Sequence, residues 1–313
     1  MVKWKPTSGK YVENRRGQRA TRQGGTFGFP TGGSSGGGGG LGGGGLPIGK
    51  LGLPIIILIV VLSVCMGAGG TDSGTLNPSA VPTQTQTPPA STANCVEESS
   101  EQIQFMCAIT DNTQDIWTRR YAAAGETYTP TKLVIFDGFT NSGCGGADAR
   151  VGPHYCPLDQ TMYLDLGFFD VLKTQFGASG DFAQAYVIAH EVGHHVQTLE
   201  GINEAVRQAQ QNDPANANAL SVAMELQADC FAGIWARDAN QLTDDVGAIE
   251  LEIGDLQEGI AAAEAVGDDR IQQASTGRIE PEKWTHGSAE QRADWFLKGY
   301  NSGDLAVCDT FGG

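Results

Sequence analysis

Two histidines and a glutamate carry the most specific chemistry in the chain. They form His190-Glu191-Val192-Gly193-His194, an HExxH inside an apolar-periodic run from Asp181 to Leu199. Histidines four residues apart on a helix share one face, about 6 Å apart along its axis, so both imidazoles can reach one metal ion. Glu191 sits beside that face, where its carboxylate can take a proton from a metal-activated water. This is the pattern of zinc-dependent peptide hydrolysis. A solvated helix face holding these residues by accident is the plainer alternative. Against it, the chain has five histidines in all, and two stand at ligand spacing around a glutamate.

A catalytic zinc takes three protein ligands and keeps a fourth position open, so a third ligand must come from elsewhere. A second helix, expected over Ala219 to Asp238, contains Glu225 and Asp229 four residues apart on one face. If it packs beside the HExxH helix, Glu225 can ligate zinc while Asp229 accepts the free N–H of a ligating histidine. Leu226, Ala228, Phe231 and Ala232 make this helix largely apolar, and buried acids in such a helix need partners. The competing third ligands are His195, His154, His286 and Asp229 itself. His195 lies about 100° around the helix from His194 and is expected in a core or capping role. The three-histidine pattern HExxHxxGxxH fails, because Gln197 and Glu200 stand at its later positions. Charge developing on a scissile carbonyl needs a further donor. His286, followed by Gly287 and close to Arg292, is the candidate, with a surface histidine ahead of a helix as the other reading. Tyr163 is a second candidate, more simply a core aromatic.

The elements that must position these groups follow from periodicity. Helices are expected over Glu97 to Tyr121, Phe168 to Phe176, Asp244 to Ala265 and Ser288 to Tyr300. Asp181 with Gln184 suggests a capping box for the HExxH helix, and Gly201 its end. Lys132 to Phe136 and Thr161 to Leu166 read as strands, with Tyr163 to Leu166 as the edge that receives a peptide as an added strand. The polar stretch Asn203 to Ala217 has no assigned element. The fold class is α+β, mainly helical with a small sheet.

Around that folded unit the composition changes sharply. Residues 1–50 hold eight Lys or Arg against Glu13 alone, a charge of +7; with the whole chain at −16, the remainder carries −23. So acidic a surface argues against nucleic acid, whose phosphates it would repel. Residues 24–45 are mostly Gly and read as a flexible linker. From Leu51 to Thr71 no residue is charged, enough for one membrane span. Lys50 and the basic tail before it place the N-terminus in the cytoplasm. A cleaved signal peptide would need a basic leader of about fifty residues, so an uncleaved anchor is the better reading. Residues 72–93, rich in Thr, Pro and Ser, read as a stalk, and 94–313 as the extracytoplasmic domain. Six cysteines follow the apolar run, an even number suited to disulfides in an oxidising compartment. The sequence-local pairing is Cys95–Cys107, Cys144–Cys156 and Cys230–Cys308.

Together, HEVGHH, ELQADCFAG, YCPLDQTMYLDLGFF and HGSAEQRADWF resemble the bacterial neutral zinc metallopeptidase family, similar at the site to gluzincins. The resemblance spans nearly the whole chain, including Val12-Glu13-Asn14-Arg15-Arg16-Gly17 near the start. It implies a zincin-like catalytic domain, Zn2+ held by His190, His194 and Glu225, and Glu191 as general base. A membrane-anchored zinc metallopeptidase acting on a peptide or protein is therefore expected. A zinc-binding tethered scaffold without activity, and a zinc amidase for cell-wall peptides, are the alternatives.

Overall fold

In the computed structural model, which describes residues 1–18, 95–241, 249–252 and 254–312, helices dominate and three small sheets accompany them. The α+β expectation holds. The expected apolar span, Gly-rich linker and stalk lie outside the described residues; among the described ones no helix is long and apolar enough to cross a membrane.

The basic N-terminal stretch contributes strands β1 (Lys3–Trp4) and β2 (Val12–Asn14). Helix α1 (Glu101–Ala124) begins at Ser100, whose side chain accepts from the Ile103 amide, and ends at Gly125 in the left-handed region. Strand β3 (Lys132–Phe136) is followed by a hairpin, β4 (Phe139–Ser142) and β5 (Gly145–Asp148), then by β6 (His154–Cys156) and β7 (Thr161–Asp165). The main sheet has the order β2-β3-β7-β6. Its first three strands are parallel and β6 runs antiparallel at the edge. Helices α2 (Gly167–Phe176), α3 (Asp181–Leu199), α4 (Ile202–Asn212) and α5 (Ala217–Gln241) come next. Strand β8 (Ile249–Glu250) pairs antiparallel with β1, and α6 (Asp255–Ala265), α7 (Asp268–Thr276) and α8 (Ala289–Ser302) complete the fold.

The core gathers between α1, α3, α5 and the sheet, where Trp117, Phe182, Trp235 and Phe296 are fully buried. Phe182 stacks on Trp235 with ring centroids 6.0 Å apart. Each such side chain contributes roughly 1.5–3 kcal/mol by leaving water. Two close approaches then set the positions of the functional helices. Gly193 lets α3 meet α5 directly: a Cβ there would lie 3.0 Å from the Ala228 backbone. Gly233 and Gly299 do the same for α5 and α8, where a Cβ on either would come within 2.0 Å of a carbonyl oxygen of the other helix. The Cys230–Cys308 disulfide ties the C-terminal residues to α5, and all three sequence-local disulfides are present.

Several expectations are corrected. Asp181 and Gln184 make no capping box: Gly180 precedes α3 without a side-chain cap, Asp181 accepts the Val2 amide, and Gln184 bonds Gln102. The helix expected from Asp244 starts at Asp255, because Ile249–Glu250 pair with β1 and Gly254 takes a positive φ. The polar stretch after residue 202 forms α4, anchored by buried Val206. Tyr163 to Leu166 is not an edge, since β7 lies between β3 and β6.

Candidate metal centre

Helix α3 presents its histidines to α5 across the Gly193 contact. Candidate ligand atoms of His190, His194 and Glu225 all lie within 4.8 Å of one another. His190 Nε2 is 3.1 Å from one Glu225 oxygen and His194 Nε2 is 3.5 Å from the other. The second nitrogen of each ring is occupied elsewhere. His190 Nδ1 donates to Asp229 Oδ1 at 2.8 Å, and His194 Nδ1 to Gln197 Oε1 at 2.9 Å. That assignment leaves both Nε2 lone pairs directed at the Glu225 carboxylate, as a metal site requires. Two imidazoles and one carboxylate are a donor set that zinc takes.

The electrostatics agree. Burial by itself lowers the pKa of His190, but Asp229 and Glu225 override it and raise it to about 10. His194 is likewise raised by Glu225 against its burial. Burial pushes the Glu225 carboxyl up, and the neighbouring histidines, His194 foremost, hold it well below its ordinary value. A centre in which histidines sit among buried carboxylates favours a bound cation, proton or metal. Asp229 is fully buried and is held as an anion chiefly by Arg292, whose Nε and Nη2 lie 2.8 and 3.0 Å from its oxygens. The Tyr186 hydroxyl also donates to Asp229.

A cleft of about 420 Å³ opens over these groups, with Glu191, His194, His286 and Arg292 among its lining. Its walls are largely apolar, including Tyr155, Leu158, Phe168, Val187, Val206 and Met224. Glu191 is half-buried on the cleft side of α3.

The family described as "Putative neutral zinc metallopeptidase" matches residues 10–311. The chain belongs to that family. It is 48% identical over 268 residues to "Uncharacterized protein YpfJ" of Escherichia coli strain K12, covering 85% of this chain and 88% of the relative. It is 50% identical over 189 residues to "Uncharacterized protein Rv2575" of Mycobacterium tuberculosis, covering 59% of this chain and 63% of that protein. No solved structure matches.

In this member of the zinc metallopeptidase family, the other residues singled out from the sequence separate cleanly. His286 lines the cleft, although it lies 61 residues beyond Glu225 in the chain. Its loop is held by Asp268 at the start of α7, whose Oδ2 accepts the Thr285, His286 and Gly287 amides at 2.7, 2.7 and 3.1 Å. Asp268 Oδ1 is 3.4 Å from His286 Nδ1. His195 takes the core role: its Nε2 donates to Thr129 O at 2.7 Å and its Nδ1 accepts from the Tyr155 hydroxyl at 2.9 Å. His154 stacks on Tyr163 at 5.4 Å and joins no metal cluster among the described residues. Tyr163 points away from the centre, with its hydroxyl on Asp159 at 2.6 Å.

Sequence reasoning missed the roles of Tyr186, Gln197, Asp268 and Arg292. The first two carried a signal: Tyr186 is four residues before His190, and Gln197 three after His194, so each shares its partner's helix face. Asp268 and Arg292 reach the centre only through tertiary packing. A second acidic group, Asp181, Asp255 and Glu258, lies at the other end of α3. Asp181 accepts the Val2 amide and Glu258 the Phe182 amide.

Proposed function

We propose that the chain is a zinc-dependent peptidase hydrolysing peptide bonds, with His190, His194 and Glu225 as ligands and Glu191 as general base. The observation that carries this reading is the meeting of Glu225 with both Nε2 atoms while Asp229 and Gln197 hold the opposite nitrogens. Zinc bound there supplies Lewis acidity to the scissile carbonyl and to the attacking water. Glu191, on the cleft side of the same helix, takes the water's proton and returns it to the leaving amine. His286 donates to the oxygen on which negative charge develops, and Asp268 positions it. Asp229, Tyr186 and Arg292 hold His190 in the tautomer that presents Nε2.

The substrate is a peptide lying along β6. That strand pairs with β7 on one side, and its His154 and Tyr155 line the cleft, so an extended peptide can add to its outer edge. The apolar walls favour apolar side chains beside the scissile bond over the small and charged residues of cell-wall peptides. Three disulfides support an oxidising, extracytoplasmic setting for the domain. Metal content and cleavage of an unstructured protein, measured for wild type and Glu191→Gln, test the reading. Wild-type protein that binds zinc and cleaves nothing overturns it in favour of a binding or scaffold role.

A further inference from the structure

The basic N-terminal residues that charge assigns to the far side of a membrane are built into the same fold as the metal centre. Val12, Glu13 and Asn14 pair in parallel register with Leu133, Val134 and Ile135. The Leu133 amide donates to Tyr11 O at 2.8 Å, and the Arg15 amide to Ile135 O at 2.7 Å. Without β2, β3 would be left as an edge strand with unpaired backbone groups. Val2 and Val12 are 4% and 2% exposed, and Trp4 meets Phe105 edge-on at 5.7 Å. The buried acid Asp111 accepts the Gly9 amide at 3.0 Å and the Tyr11 amide at 3.4 Å. Gly9, at φ +67°, lies so close to the Cys95–Cys107 disulfide that an added Cβ would fall 2.1 Å from Cys95 Sγ. The Val2 amide reaches Asp181 at the start of α3.

The positive charges also have partners. Lys3 pairs with Glu250 and Glu252, Lys10 with Asp115, and Arg16 with Glu98. The Lys3 and Lys10 pairs are exposed and contribute little individually, so the strand ladder, Asp111 and the buried valines decide the docking. The complementarity nevertheless gives the basic residues a reason other than membrane topology. The excess of Lys and Arg that marks a cytoplasmic flank is here matched to an acidic domain.

We propose that residues 1–18 and 95–312 fold as one unit and occupy one oxidising compartment, so that the N-terminal segment lies on the same side of any membrane as the metal centre. Strand pairing at hydrogen-bond distance cannot form across a hydrocarbon layer about 30 Å thick. An arrangement with residues 1–18 in the cytoplasm and the domain outside would therefore remove β1 and β2 and uncover Asp111. The proposal is independent of peptidase activity.

The test uses the full chain with Cys65→Ser, which removes the thiol outside the three disulfides. Lys5→Cys and Lys173→Cys, both at exposed positions, are made singly. A membrane-impermeant maleimide is applied to intact spheroplasts and then to lysed ones. Both thiols are expected to react before lysis. Reaction of Lys5→Cys, or of both, only after lysis overturns the proposal. A second measurement reads the docking itself: Gly9→Ala should lower the melting temperature of the purified full chain by several degrees, whereas Lys5→Ala should not. An unchanged melting temperature for Gly9→Ala also overturns it.

Discussion

His194 and His195 are neighbours on one helix, yet the two sides of α3 use them in opposite ways. On the α5 side, His194 faces the Glu225 carboxylate, which raises its pKa against the effect of burial. On the sheet side, His195 is fully buried, hydrogen-bonds a carbonyl and a tyrosine hydroxyl, packs edge-on against the Tyr128 and Tyr155 rings, and burial lowers its pKa. One face concentrates buried anions and asks for a cation. The other satisfies a neutral ring. The lesson is that neighbouring charge, rather than residue type or depth, separates a candidate ligand from a packing histidine.

The sharpest way to probe the metal-side face is Glu191→Gln. Activity on an unstructured protein should fall about 10²–10⁴-fold, with zinc content by elemental analysis unchanged. Retained activity would remove Glu191 from the base role. Next in size is Asp229→Asn, which leaves Arg292 without its carboxylate and weakens the hold on His190. Apparent zinc affinity, read by chelator competition, should drop about 10–100-fold; an unaltered affinity would mean that His190 is oriented by something else.

On the opposite face, His195→Leu leaves the Thr129 carbonyl without its donor and takes one partner from the Tyr155 hydroxyl. It should cost about 1–3 kcal/mol in denaturant unfolding while zinc content stays at the wild-type level. Loss of zinc instead would break the division between the two faces. The smallest effect is expected at the rim. Burial raises the Asp268 pKa, but His286 and the backbone amides outweigh it and hold the carboxyl below its ordinary 3.8. Its contribution to stability is therefore complete above about pH 4 and is lost as pH falls through the depressed value. Wild-type protein should lose melting temperature more steeply below pH 4 than Asp268→Asn; parallel slopes would argue against an ionised Asp268.

Much of the centre was legible because helical spacing is local. His190 and His194, like Glu225 and Asp229, are i,i+4 pairs whose shared face follows from 3.6 residues per turn. Strand β3 was read with its observed bounds, and β7 within one residue, from short apolar runs. The failures were of a different kind. Asp181 looked like a cap because its i+3 neighbour was Gln184, but a residue 179 positions away supplied its partner. Residues Val12–Asn14 showed no convincing strand pattern, since three residues with one buried side chain carry too little periodicity.

By itself, then, the sequence determined the two helices that carry the candidate ligands, the identity of the candidate base, the α+β class and the local pairing of six cysteines. Tertiary structure decided that Glu225 meets both histidines, that Arg292 and Tyr186 secure Asp229, that Asp268 holds the His286 loop, and that the N-terminal segment completes the sheet. The physical reason is range. Spacing along a helix is fixed by backbone geometry, whereas those contacts depend on how closely helices pack, and glycines at positions 193, 233 and 299 set that distance.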